Sequence, residues 1–507
     1  MKKLITILCI CLCAPALYAQ KPNWQNLDLK KDSVFGISTE RAYAELLKGK
    51  KAQKVTVAVI DAGIDTNHVD LRNVLWKQKN LRGWSYLGSS KGNVSHESLE
   101  LTRMVKTGRK RFTDLAIQKG DTSGLAAFRK LERMYNVKLL EAKRSYENAL
   151  DFKKIIDSIF TVINVKDTRR SDIVDFVATT VREYNIRSLL INSIKSDEEI
   201  LPFRKEEVDG RLARAKNTLD YSLNIDFDPR DLIGDRKDNL MENNYGTADV
   251  MGPDATHGTH VAGIIGAIRG NGIGIDGVAD HVNLITIRAV PDGDERDKDI
   301  ANAIIYAVDH GAKVVNMSFG KPFSPNKEIV DRAVRYAMEK DVLLIHAAGN
   351  DSKDLDIELN FPNRNYADGK GSAAAWIEVG ASGPKDNFQL AASFSNYGKT
   401  TVDVFAPGVK IYSAVPGSKY AYLDGTSMAC PVVAGLAALI RSYFPGLTAV
   451  EVKEIIMRSA VKVSHNVSIF KQGRNQTVLF SDLSISGGVV NAYEAIKLAQ
   501  EMSVQKK

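Results

Sequence analysis

The chain has 507 residues, enough for two or three domains, and its 44% hydrophobic against 26% charged content is an ordinary globular balance. The formal charge of +8 drops to +6 without Lys2 and Lys3 and is spread along the chain, which argues against nucleic-acid binding. Beyond the N-terminus no stretch offers about 18 uninterrupted apolar residues, so no membrane anchor is expected.

Lys2 and Lys3, the apolar run Leu4 to Leu12 and the small residues that follow have the pattern of a secretory signal peptide over residues 1–19, cut after Ala19. Export to the periplasm or the extracellular space follows from it. Bulky Ile10 and Leu12 stand before Cys11 and Cys13, where a lipoprotein signal has a small residue, so lipid attachment is disfavoured. The exported chain keeps Cys430 alone, no intramolecular disulfide can form, and Cys430 reads as a small packing residue.

After an N-terminal extension, residues 20–50, two kinds of segment alternate. Val55–Ile60, Leu284–Ile287, Val314–Met317, Val342–Ala347, Ile377–Val379 and Val402–Phe405 are short, continuous apolar runs that read as buried parallel strands. Helical patterns lie between them, as at Ile300–His310 and Glu328–Lys340. This predicts an α/β fold, a doubly wound and mainly parallel sheet over 51–92 and 221–500, with ligands at the carboxyl ends of its strands. An apolar helix follows Ser427 to Tyr443, Thr448 and Glu451 form a capping box, and a last helix spans about Asn491 to Ala499 before a charged tail at 501–507.

Residues 93–220 break the alternation. They are rich in Lys, Arg and Glu, and Leu139, Ala142, Tyr146, Ala149, Phe152, Ile156, Ile159 and Ile163 form one apolar stripe on a long helix. Further helices are expected over Ser171–Glu183 and Glu198–Leu219. The stripe requires a surface to pack on: within this mostly helical insertion, on the sheet domain or on a partner.

Three motifs carry chemistry. Val57-Ala58-Val59-Ile60-Asp61-Ala62-Gly63 delivers a carboxylate at a strand's end, able to fix the tautomer of an imidazole; alone this is common in α/β proteins. His257-Gly258-Thr259-His260-Val261-Ala262-Gly263 opens a helix with small residues on one side and an exposed imidazole at its start. The i, i+3 spacing of His257 and His260 invites a metal reading, but no third ligand is placed by a comparable motif and no Glu sits between them. His260 reads as a packed, hydrogen-bonded support. Gly425-Thr426-Ser427-Met428-Ala429-Cys430-Pro431 presents a hydroxyl at a helix start, where free N–H groups can stabilise an oxyanion; alone it could be a helix cap.

The order Asp61, His257, Ser427 and the blocks around them resemble the subtilisin-like serine proteases, the subtilases, over about 320 residues. The resemblance implies a serine endopeptidase with that triad and with Asn350, in Ala347-Ala348-Gly349-Asn350, donating to the oxyanion. It implies that Ser318, Phe319 and Gly320 pair with extended substrate, and that Ala347, Ala348 and Gly349 line a pocket. Substrates would be proteins or peptides. No cofactor is needed for the chemistry. Asp70 and the loop from Asn271 to Ile275 resemble the family's calcium loop, and their oxygens suit a hard cation. The charged run Asp292–Asp299 reads equally well as solvated surface.

Two features depart from the family. The insertion puts 195 residues between Asp61 and His257, and its exit from the sheet must lie near the cleft. It would restrict access, bind a partner or select folded substrates. Only about 30 residues separate the signal from the first strand, too few for the family's usual prodomain, so the protein folds unaided or the insertion shares that role. The rival function is a catalytically silent exported binding protein that uses the insertion as its interaction module.

Overall fold

The computed structural model describes residues 22–120, 122–163, 169–471 and 473–505; the expected signal peptide, its three cysteines and the last two lysines lie outside the described residues. All six apolar runs fall in strands of one sheet. In chain order its strands and one hairpin are β1 Val55–Asp61, β2 Gly83–Ser85, β3 Val282–Arg288, β4 Val314–Met317, β5 Leu343–Ala347, β6 Trp376–Ser382, β7 Val404–Pro407, the hairpin β8 Ile411–Val415 with β9 Lys419–Leu423, then β10 Val461–Lys462 and β11 Gly488–Val489. The sheet has nine strands in the order β10-β11-β7-β6-β5-β4-β1-β3-β2, parallel except for the β10–β11 pair.

Continuous apolar strands are needed because both faces are covered. Val57 and Val59 enter one core and Ala58 and Ile60 the other, the period of two expected of a strand. The longer helices among the described residues are α1 Glu100–Arg111, α2 Leu125–Val162, α3 Val181–Ser193, α4 Thr256–Gly266, α5 Asp297–Asp309, α6 Lys327–Glu339, α7 Thr426–Tyr443, α8 Ala449–Arg458 and α9 Ala492–Gln505. Helices α4, α7, α8 and α9 fill the first core, and α5 and α6 the second. Helix α7 is long and apolar enough to cross a bilayer, yet 89% of it is buried against the sheet.

Strand order reverses between β1 and β4: the chain works outward from β1 to β3, then returns on the other side with β4. A crevice at the carboxyl ends beside such a switch is where doubly wound folds bind ligands. Asp61 is the last residue of β1, and Ser318 follows the last residue of β4.

The N-terminal extension is built into this body. Trp24 and Ile37 are fully buried, Trp24 Nε1 donates to the carbonyls of Val409 and Lys410 at 3.2 Å, and Ala492 N donates to Ile37 O at 2.6 Å.

Helices α1 to α3 lie in the insertion. Helix α2 has 38 residues, roughly 57 Å at 1.5 Å per residue. Its stripe is divided between two cores. Ile156 and Ile159 join Phe160, Ile173, Leu190 and Val208 in a distal core. Ala142 joins Leu101, Val105, Phe128, Tyr135 and Leu223 in a proximal core, with Phe323 of the sheet domain packed against it. The helix expected over Ser171–Glu183 is instead two. Arg170–Asp175 stops, and α3 begins afresh at Thr180, whose hydroxyl accepts from Glu183 N at 3.1 Å while Glu183 Oε2 accepts from Thr180 N at 3.1 Å. That capping box outweighs helical continuity because it satisfies two N–H groups at once. From 200 to 222 the chain is helical as expected, but with π turns at Arg204–Gly210 and Thr218–Ser222. The run Asp292–Asp299 is solvated only at its start: Asp292 is exposed, whereas Glu295, Asp297, Lys298 and Asp299 are buried.

Candidate active site

Asp61 ends a strand buried on both faces and is itself 2% exposed. Its Oδ1 accepts from Ala62 N at 2.7 Å and faces His257 Nδ1 at 2.7 Å, while Oδ2 is buried without a hydrogen-bond partner among the described residues. A carboxylate only accepts, so Nδ1 carries the proton and Nε2 is left to act as base. His257 sits in the first turn of α4. That turn reaches the strand end because residue 258 is glycine: a Cβ there would lie 2.2 Å from Gly63 O and 3.1 Å from Asp61 Cβ. Burial pushes the His257 pKa down, but the Asp61 charge and hydrogen bond prevail and hold it above its ordinary 6.5.

Ser427 is the second residue of α7, so its N–H has no acceptor within the helix. Its Oγ donates to Ser318 O at 3.1 Å, and Ser318 Oγ donates back to Ser427 O at 3.0 Å. This clasp ties the helix start to the end of β4, next to Asp61. His257 and Ser427 are bonded to Asp61 and Ser318 respectively and not to each other; such bonds commonly tighten only when substrate binds.

Asn350 follows β5. Thr426 donates to its Oδ1 from both N, at 2.8 Å, and Oγ1, at 3.0 Å, which turns Nδ2 outward as a donor. A Cβ on Gly425 would lie 3.5 Å from both Asn350 Nδ2 and Ser427 N, so the two donors border the same space.

His260 is fully buried. Its Nε2 lies 3.0 Å from Ile411 O and 3.2 Å from Ala421 O, so it must be the protonated nitrogen, and burial lowers its pKa to about 4. It is a neutral pin between α4 and the β8–β9 hairpin. Among the described residues no group of three His, Cys, Asp or Glu is placed to hold a metal.

Of the residues expected at the substrate, Ser318 is buried, Phe319 is half-buried and edge-on to His346 at 6.2 Å, and Gly320 is exposed. Ala347 and Ala348 are buried, with their carbonyls accepting from Asn360 Nδ2 at 3.2 and 3.1 Å, and Gly349 is half-buried. Asp70 and Asn271 meet: Asp70 Oδ1 accepts from Asn271 Nδ2 at 2.6 Å, Oδ2 accepts from the Tyr420 hydroxyl at 3.2 Å, and burial raises the Asp70 pKa. Cys430 is buried against the carbonyls of Met317 and Ile345, and burial pushes its thiol well up.

Thr426, Asn360 and Asn396 escape a motif reading. Asn396 Nδ2 donates to Ala348 O at 2.8 Å, and its Oδ1 accepts from Asp351 N at 3.0 Å, so it braces the Asn350 turn from both sides. The segment Ser393-Phe394-Ser395 before it was the available signal.

A doubly wound sheet that carries a buried carboxylate, its imidazole and a helix-start hydroxyl at the carboxyl ends of its strands is an arrangement suited to serine-hydrolase chemistry. The chain belongs to the subtilase family, whose model matches residues 52–478. It is 39% identical over 253 residues to a thermophilic serine proteinase of Bacillus sp. (strain AK1), covering 49% of this chain and 57% of that protein. It is 36% identical over 242 residues to thermitase of Thermoactinomyces vulgaris, covering 48% of this chain and 75% of that one. It is also 38% identical over 208 residues to subtilisin BL of Lederbergia lenta, covering 41% of this chain and 71% of that one. The chain thus spans little more than half the length of the Bacillus proteinase.

Proposed function

We propose that this protein is an exported serine endopeptidase that cleaves protein or peptide substrates through Asp61, His257 and Ser427. The observation that carries the reading is the 2.7 Å bond from His257 Nδ1 to a buried Asp61, which leaves Nε2 free to act as base. Nε2 takes the Ser427 Oγ proton as Oγ attacks the peptide carbonyl. Ser427 N–H and Asn350 Nδ2 hold the oxyanion. The imidazolium, stabilised by Asp61, gives its proton to the leaving amine, and water then hydrolyses the acyl-enzyme by the same route. Export rests on the charged start and apolar run of residues 1–19.

Calcium would serve structure and not chemistry. Asp70 offers a cation a buried carboxylate with only neutral donors bonded to it, and the Asn271 side-chain oxygen, which accepts from Ile273 N at 3.0 Å while Nδ2 faces Asp70, would join it on turning the amide over. Added calcium should raise Tm in the wild type and not in Asp70→Ala.

The test of function is hydrolysis of casein by purified protein. Activity abolished in a folded Ser427→Ala variant supports the reading. A folded wild type without hydrolysis favours a silent binding protein instead.

A further inference from the structure

Charge, as well as apolar packing, fastens the insertion to the cleft. The segments after β3 (289–297) and after β4 (318–323) leave the sheet on either side of β1, the strand that carries Asp61. Lys321, 3% exposed, joins them: its Nζ donates to Glu295 O at 2.6 Å and lies 2.8 Å from Asp297 Oδ1. The same ammonium donates to Glu100 Oε2 at 2.9 Å, in the first turn of α1.

Arg103 pairs with Glu100 at 2.6 Å and donates to Asp294 O at 3.1 Å and Glu295 O at 3.4 Å. Glu100 N donates to Asp294 Oδ2 at 2.8 Å. The backbone of Lys321 is fixed as well, exchanging bonds of 3.0 and 2.9 Å with Phe361. Phe323, two residues on, packs on the proximal core of the insertion. Removing one partner from such a buried set leaves an uncompensated charge, so both segments would shift together.

We propose that helix α1 is a positioning element for substrate. The Glu100–Lys321 pair, backed by Arg103, sets the spacing of the two segments flanking Asp61, and so governs the binding of peptides long enough to reach Ser318–Gly320. Neither residue touches a reacting atom; both act through the segment that also clasps Ser427. The inference rests on the reading of Ser427 as nucleophile and of Ser318–Gly320 as the substrate-pairing segment.

The experiment compares a tetrapeptide p-nitroanilide with a single-residue ester bearing the same residue before the cut, in the full chain. In Glu100→Gln and Lys321→Met the tetrapeptide should lose about tenfold or more in kcat/KM, mainly through KM, with a much smaller loss for the ester. Lys321→Arg should restore most of it. Equal losses for the two substrates, or no loss in folded variants, would overturn the proposal. If Lys321→Met does not fold, the nearly isosteric Glu100→Gln decides by the same comparison. Fluorophosphonate labelling of the wild type separates the two readings. A labelled enzyme with length-independent losses overturns this inference alone, whereas an unlabelled one removes the nucleophile and the inference with it.

Discussion

His257 Nδ1 lies 2.7 Å from one oxygen of Asp61, and the other oxygen of that carboxylate is buried without a hydrogen-bond partner among the described residues. Desolvation lowers the His257 pKa, but the charge of Asp61 and its hydrogen bond to Nδ1, with the charge of Asp254, hold it above 6.5. Activity needs the neutral ring, so kcat/KM should rise with pH through an apparent pKa above 6.5. The linked stability runs the other way. A raised histidine stabilises fully below its unfolded pKa, and the contribution is lost as pH climbs through the folded one. Asp61→Asn should move the acid limb down and lower kcat by about 10⁴-fold. An unmoved limb in that variant would assign it to another group.

Asn350→Ala removes an oxyanion donor and should lower kcat by about 10²–10³-fold with little change in KM, the cost known for the same kind of donor in the family's type enzyme. Thr426→Val keeps Asn350 but removes one of the two donors that orient it, so its kcat should fall by less. A Thr426→Val loss as large as that of Asn350→Ala would show that Thr426 does more than orient the amide.

Glu295 is 2% exposed, and burial raises its pKa to about 7 against the opposing charge of Lys321 and with the reinforcing charges of Asp294 and Asp297. A carboxyl that binds its proton more tightly when folded makes stability fall as pH rises from its unfolded value near 4.5 to about 7. Tm measured across that window should slope down more steeply in the wild type than in Glu295→Gln; parallel slopes would contradict this.

The distal core of the insertion shares no residue with the sheet domain. Ile156→Ala, at a fully buried position, should cost about 2–5 kcal/mol in unfolding of the insertion. Calorimetry should show that transition shifted while turnover of a small ester stays unchanged. A matching loss of ester turnover would mean that the distal core reaches the site.

Much of this was legible in the sequence because buried parallel strands need unbroken apolar runs, and all six runs are strands of the sheet. The edge strand Gly83–Ser85 and the strand Gly488–Val489, one in from the opposite edge, were not legible, since two or three residues containing glycine carry no pattern. The break before Thr180 was legible in principle, for Thr180 and Glu183 bear the same signature as Thr448 and Glu451. Within the site, types and order pointed to Asp61, His257, Ser427 and Asn350. What orients them did not show: Thr426 acts through its neighbour's amide, and Lys321 meets Glu100 across 221 positions of chain. Periodicity reports which face of a helix is apolar; it does not report which distant charge a buried lysine will meet.

The most direct test is a fluorophosphonate probe on the purified, folded protein, with the modified residue mapped by mass spectrometry. Stoichiometric labelling is expected on Ser427, faster at about pH 8 than at about pH 5.5, on either side of the ordinary histidine range, and lost in Ser427→Ala and His257→Ala. A folded wild type that takes no label, or one labelled elsewhere with Ser427→Ala still reactive, would contradict the reading of Ser427 as nucleophile.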